Sequence, residues 1–150
     1  MQNVAVQSLS RALGWAGVLP FAALSLASAF PTSVIDAKWA LGALTLYGAA
    51  ILSFLGGVTW GLTLAREGQL DPQSGVRGLV VSNGASLAAF GATLLPVAIC
   101  LPVLMTGFVA MLVYDLHNIA RGLLPAWYRP LRIGLSAAAI ASLGLALLRT

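Results

Sequence analysis

Residues 51–62 read ILSFLGGVTWGL, a strongly apolar stretch that nevertheless holds three glycines, a threonine and a tryptophan. In water such a segment would give up burial for nothing. In lipid the accounting differs, because acyl chains are as apolar as leucine and helices associate through close packing rather than hydrophobic expulsion. Small residues then let two backbones approach. Gly57 and Gly61 form a GxxxG spacing, and Gly56 widens the same notch. The stretch therefore predicts a membrane helix with a packing face or ligand notch at Gly56, Gly57, Thr59, Trp60 and Gly61. The Thr59 hydroxyl can bond back to the Leu55 carbonyl or to a neighbouring helix. Similar small-residue spacing recurs at Gly84 and Ala88, and at Gly134, Ala138 and Ser142.

The rest of the chain supports a lipid solvent. Of 150 residues, 59% are hydrophobic and 8% charged, against about a quarter charged in soluble domains. The mean hydropathy is +0.94. No long solvated domain fits within such a composition, so residues 1–150 read as a single transmembrane domain. The lone Cys100 excludes an internal disulfide and any cysteine-rich metal site. The net charge of +4 comes from basic residues scattered among loops, not from one patch, which argues against nucleic acid.

Four runs carry no Asp, Glu, Lys or Arg: Ala12–Ile35, Trp39–Ala65, Gly78–Tyr114 and Ile133–Leu148. A span needs about 20 apolar residues. The first two runs each fit one helix, the third fits two, and the fourth fits one when Arg132 and Arg149 snorkel. The expectation is an all-α bundle of about five transmembrane helices near 11–30, 37–64, 79–95, 97–117 and 131–148. Ser10 is a candidate cap for the first helix and Pro31 its stop, with a kink at Pro20. The start of the chain resembles a signal peptide, with Arg11, an apolar run and Ala27-Ser28-Ala29. The apolar run continues to Ile35, which favours a retained helix. REGQLDPQSGVRG, residues 66–78, reads as a polar loop.

Counting Lys and Arg by side sets the orientation. Arg11, Arg66, Arg77, Arg121, Arg129 and Arg132 share one side, and Lys38 and Arg149 the other. This predicts a cytoplasmic N-terminus and an external C-terminus.

Chemistry-bearing residues are few. Asp115 is the carboxylate nearest a membrane interior, and His117 is the single histidine. Both are read as parts of an ion pair at the membrane boundary, with Arg121 or Arg129 as partner. Trp127, Tyr128, Arg129 and Arg132 in PAWYRPLR combine interfacial aromatics with phosphate-binding arginines, and predict an anchor or anionic-lipid contact. No acid or base falls at mid-helix, no nucleophile–base pair is evident and no metal constellation is legible. The expectation is no enzyme activity, no cofactor and no metal.

LGWAGVLPF, YGAAILSFLGGVTWGL and LPAWYRPLRIGLS together resemble the domain-of-unknown-function family numbered 3429, which includes the metazoan transmembrane protein 69. The likeness runs from about Leu13 to Ser136, with Ser53-Phe54-Leu55-Gly56, Trp60-Gly61 and Trp127-Tyr128-Arg129 as its best markers. It implies a small helical bundle in a bacterial inner membrane or, in eukaryotes, in mitochondria. In that family the position of Thr59 is often His or Arg, and the threonine here departs from that pattern. The family lends no reaction. The function expected is a non-catalytic accessory or assembly partner of a larger membrane complex, in contact with lipids and with a membrane-protein partner or a second copy. The alternative is a binder or carrier of a small lipophilic molecule or lipid.

Overall fold

A computed structural model describes residues 4–30 and 36–150. Among the described residues the regular elements are all helices: α1 (Val4–Ala16), α2 (Val18–Ala29), α3 (Ala37–Ala65), α4 (Pro72–Thr93), α5 (Val97–Ala120) and α6 (Tyr128–Leu147). α1 and α2 are halves of one 26-residue apolar segment. That segment, α3, α5 and α6 make 4 helices long and apolar enough to cross a membrane. The fold is an all-α membrane bundle.

α4 is of similar length but more polar, and topology decides its course. The turn after α3 and the turn after α5 meet at one end, where Arg121 pairs with Asp71. Both helices therefore finish at that end, and only α4 can return the chain between them. It runs antiparallel to α3, with Gly78 against Thr63 near that end and Gly56 against Ser82 further along. The opposite end is marked by Arg149 lying over the Phe30 ring, 5.8 Å from its centroid.

Several helix starts fall earlier than the charge pattern suggests. α4 begins at Pro72 rather than near 79, because Asp71 accepts the Ser74 N–H at 3.0 Å and caps the helix. Asp-Pro here is a helix start, with proline at the first position where its missing N–H costs nothing. α6 begins at Tyr128 rather than 131, and Pro130 is absorbed in its first turn. α1 begins at Val4, so Ser10 lies inside a helix and is no cap. The expected stop at Pro31 lies outside the described residues. α5 continues to Ala120 and closes on Gly122, whose φ is +72°. There Leu123 N–H donates to Asn118 O at 2.9 Å and Gly122 N–H to Ile119 O at 3.0 Å. This double closure needs the left-handed backbone that glycine adopts at least cost.

The kink expected from Pro20 is present as a break at Gly17 between α1 and α2. The Tyr47 hydroxyl donates to the Gly17 carbonyl at 2.8 Å, supplying a backbone partner where the helix ladder is interrupted. Phe21 then packs edge-on against Tyr47 and Phe108, at 4.9 and 5.8 Å between ring centroids. Leu44, Leu52, Leu101, Leu104 and Leu143 complete a fully buried centre.

The glycines of residues 51–62 divide sharply. A Cβ on Gly56 would stand 2.6 Å from the Ser82 carbonyl oxygen and 3.0 Å from the Ser86 hydroxyl. Gly57 and Gly61 are exposed and would meet nothing within 4 Å. The expected GxxxG face is therefore not the packing face within the chain. Contact runs instead through Gly48, Leu52, Gly56 and Thr63, at the four- and seven-residue steps that align on one side of a helix. Gly48 receives Leu104, Gly107 receives Leu52, and Gly78 receives Thr63. Ser82 Oγ donates across to the Gly56 carbonyl at 2.7 Å, so the close approach is also hydrogen-bonded. Thr59 is buried and, as expected, bonds back to Leu55 O at 3.2 Å. Trp60 is 40% exposed.

Replacing Gly56 by leucine is expected to destabilise the bundle by about 1–3 kcal/mol or more through overpacking. Gly57→Leu on the open side is expected to leave the thermal midpoint in detergent within a degree or two of the parent's. Equal losses for the two variants would contradict this division.

Candidate functional site

The buried polar centre of the bundle is built from α5 and α6. Asp115 and Arg132 are 7% and 2% exposed. Arg132 Nε donates to Asp115 Oδ2 in a short, charge-assisted contact. Its Nη1 donates to Ser136 Oγ at 2.7 Å, one turn further along α6. Its Nη2 is buried and has no hydrogen-bond partner. An unmet buried donor costs about 1–3 kcal/mol, so this nitrogen stands out in an otherwise satisfied pair.

This arrangement corrects two expectations. Asp115 pairs with Arg132, not with Arg121 or Arg129, and Arg132 is no interfacial lipid contact. The cause is the early start of α6, which places Arg132 one turn inside the helix and turns it toward α5. Arg121 instead binds the α3–α4 turn, donating from Nη1 to Ser74 Oγ at 2.8 Å and from Nη2 to Asp71 Oδ2 at 3.3 Å. Hydrogen bonds from the Ser74 side chain and backbone N–H, then the Arg121 guanidinium, lower the Asp71 carboxyl to about 2. His117 is exposed and lines a cleft of about 20 Å³ with Ser74, Asn118 and Arg121, away from Asp115.

The WYR segment lies at the same end as Arg121. Trp127 and Tyr128 meet edge to face at 5.9 Å, and the Arg11 guanidinium stands 5.8 Å from the Trp127 ring centroid. Such a cation–π contact ties the start of the chain to the α5–α6 turn. Arg129 is exposed. Within the bundle, Trp15 reaches Gly134, where a Cβ would lie 3.1 Å from its ring, and Leu135 reaches Gly14 at 3.0 Å.

A cavity of about 360 Å³ opens between the α1–α2 segment, α3 and α6. Phe21, Phe108, Leu131 and Ala139 form its floor from the buried core. Ser10, Tyr128, Arg132 and Ser136 supply the polar part of its wall. A mainly apolar cavity with a few converging polar groups is the usual form of a small-molecule site. A second, more open groove of about 680 Å³ runs between α4 and α5. It is lined by Val81, Gly84, Ala85, Ala88, Gly107 and Ala110, with Arg77, Tyr114 and His117 at its polar end.

The family described as "Protein of unknown function (DUF3429)" matches residues 6–148. The chain belongs to that family. The match takes in every helix except the first residues of α1, so both the Asp115–Arg132 pair and the cavity fall within the family's extent. No curated protein and no solved structure matches the chain.

Neither the cavity nor the exact ion pairing was visible in the sequence. Each depends on which face of α6 turns inward. One signal was available: Ser136 follows Arg132 at four residues, a spacing that lets a serine satisfy an inward-facing arginine.

Removing one member of the buried pair should be costly. Asp115→Ala leaves the Arg132 charge uncompensated and should destabilise by about 3–5 kcal/mol, whereas Asp115→Leu with Arg132→Met should recover most of the loss. Thermal unfolding in detergent measures both.

The Asp71 carboxyl has a folded pKa of about 2 against an ordinary 3.8. A lowered value means that its contribution is present above the ordinary pKa and is lost as pH falls through the folded one. Asp71→Asn should therefore remove the part of the acid destabilisation that falls between about pH 4 and pH 2, an effect read from acid titrations of parent and variant.

Proposed function

We propose that the protein is a non-catalytic accessory subunit that binds a transmembrane helix of another membrane protein along the α4–α5 groove. The observation that carries this is Asn83, which stands on the exposed face of α4 at the rim of that groove rather than in its lining. It is the twelfth of the 22 residues of α4, and it is exposed. Its amide donates to the Leu79 carbonyl at 2.9 Å, which leaves the side-chain oxygen to be satisfied from outside the chain. A polar amide at mid-membrane facing acyl chains is unfavourable, and such residues commonly bond across helix interfaces.

The surroundings suit a helix. Gly84 would meet nothing within 4 Å, and Ala88 lies one turn further on the same face. A backbone can therefore approach closely beside Asn83. Charge favours a foreign helix over a second copy. Copies inserted with one topology would pair α4 in parallel, bringing Arg77 against Arg77 at the polar end of the groove. A partner with an acid at that level and a donor near Asn83 is complementary. The engagement of Asp115 by Arg132 and of Asp71 by Arg121 supports the non-catalytic reading.

The orientation proposed follows the excess of Lys and Arg at the end holding Arg11, Arg121 and Arg129, which faces the cytoplasm of a bacterial inner membrane. Trp127 and Arg129 serve there as an interfacial anchor with anionic lipid contact.

Native extraction in a mild detergent should give the protein in stoichiometric association with another membrane protein. Cysteines placed at Gly84 or Ala88 should crosslink to that protein, and Asn83→Leu should weaken the association by about tenfold or less, the range of one interhelical hydrogen bond. Crosslinks only between copies of this chain would replace the partner by a homodimer. Loss of neither crosslink nor comigration in Asn83→Leu would remove the basis of the reading. Periplasm-active reporters should be inactive when fused near Gln73 or Ala120 and active at the C-terminus.

A further inference from the structure

We infer that the cavity between the α1–α2 segment, α3 and α6 is a binding site for an uncharged lipophilic carbonyl compound, whose oxygen accepts a hydrogen bond from Arg132. The inference is independent of the helix-binding groove, which lies on α4 and α5.

Three observations carry it. The first is the donor. Arg132 is among the residues lining the cavity and is 2% exposed; its Nε and Nη1 are engaged by Asp115 and Ser136, and its buried Nη2 has no partner, so a ligand reaches it by displacing the side chains that cover it. A guanidinium nitrogen can only donate, so the missing group is an acceptor. The second is charge. The Asp115 carboxylate already balances the guanidinium, and an anion bound at Nη2 would be held close to that carboxylate without a second cation. An uncharged acceptor such as a carbonyl satisfies the donor without that repulsion. Ser136, already accepting from Nη1, retains a hydroxyl proton that can donate to the same ligand.

The third observation is access. Leu13, Phe54 and Val58 line the cavity and are 64%, 65% and 44% exposed, so its mouth opens on the apolar flank of the bundle. A ligand enters from the acyl-chain region and must itself be lipophilic. The walls inside are Phe21, Phe108 and Leu135, which suit a ring or short alkyl body. At about 360 Å³ the cavity lies at the small end of the range for small-molecule sites.

The test compares two probes of similar shape, decylbenzoquinone and decylbenzene, added to the full chain in detergent. Binding is followed by tryptophan fluorescence and by the shift in thermal midpoint. The expected result is saturable binding of one decylbenzoquinone per chain, with decylbenzene about tenfold weaker. Arg132→Lys keeps a cation facing Asp115 but removes Nη2, and should bring the two probes to equal affinity. Ala139→Phe fills the floor and should abolish both. Equal affinity of the two probes for the parent protein would overturn the proposal, and that comparison needs no variant to fold. So would an unchanged preference for the quinone in Arg132→Lys. A cavity occupied only by co-purified phospholipid chains that neither probe displaces would also overturn it.

Discussion

The structure depends on how closely α3 lets other backbones approach. In lipid no hydrophobic force sorts these helices, since their leucines are as well solvated by acyl chains as by each other. What remains is contact at short range, and α3 provides it at Gly48 and Gly56, with Thr63 opposite Gly78. Ser82 adds a hydrogen bond to the Gly56 carbonyl at 2.7 Å. This seam fixes α4 antiparallel to α3, which in turn returns the chain to start α5. The polar, glycine-rich character of α4 follows from the same requirement. A helix that makes its contacts by proximity needs small residues, and it gives up apolarity to have them.

Against that seam, the buried ion pair plays a different part. Taking Asp115 and Arg132 out of water is costly, and a well-packed apolar pair of similar volume would serve stability as well or better. The pair does fix the rotation of α6 relative to α5, because Arg132 must face Asp115, while Ser136 on the same helix holds its Nη1. With α6 so turned, Leu131, Leu135 and Ala139 face the space left beside the broken α1–α2 segment. The cavity is thus a consequence of a polar register and a helix break at Gly17, held in place by Tyr47. A stability-only design would have filled it.

The molecule divides its surfaces by polarity. One end gathers two sets of contacts, Arg121 with Asp71 and Ser74 and Arg11 with Trp127, which tie the α3–α4 turn, the α5–α6 turn and the first helix together. The flanks are largely apolar, and on α4 the exposed amide of Asn83 interrupts them. The Asn83 side-chain oxygen and Arg132 Nη2 lie on different helices, the first on an exposed residue and the second buried. Each is the kind of unmet polar group that lipid makes expensive, and each therefore draws attention to what completes it.

The sequence by itself determined the solvent, the helical class and the family. Charge-free runs of span length require helices in lipid, since every backbone group must there be bonded within its own segment. The Pro20 break and the back-bond of Thr59 were also legible, because both are set within a few residues. Helix starts at Asp71-Pro72 and Tyr128 were not legible, because proline and charge mark loops as readily as they begin helices. The tertiary structure alone decided which glycines pack and which arginine is buried. Gly56 and Gly57 are neighbours in sequence but stand about 100° apart around the helix, so only the position of α4 distinguishes them. Arg132 and Arg129 differ likewise by which way α6 is turned, and that turn is set by Asp115 on another helix.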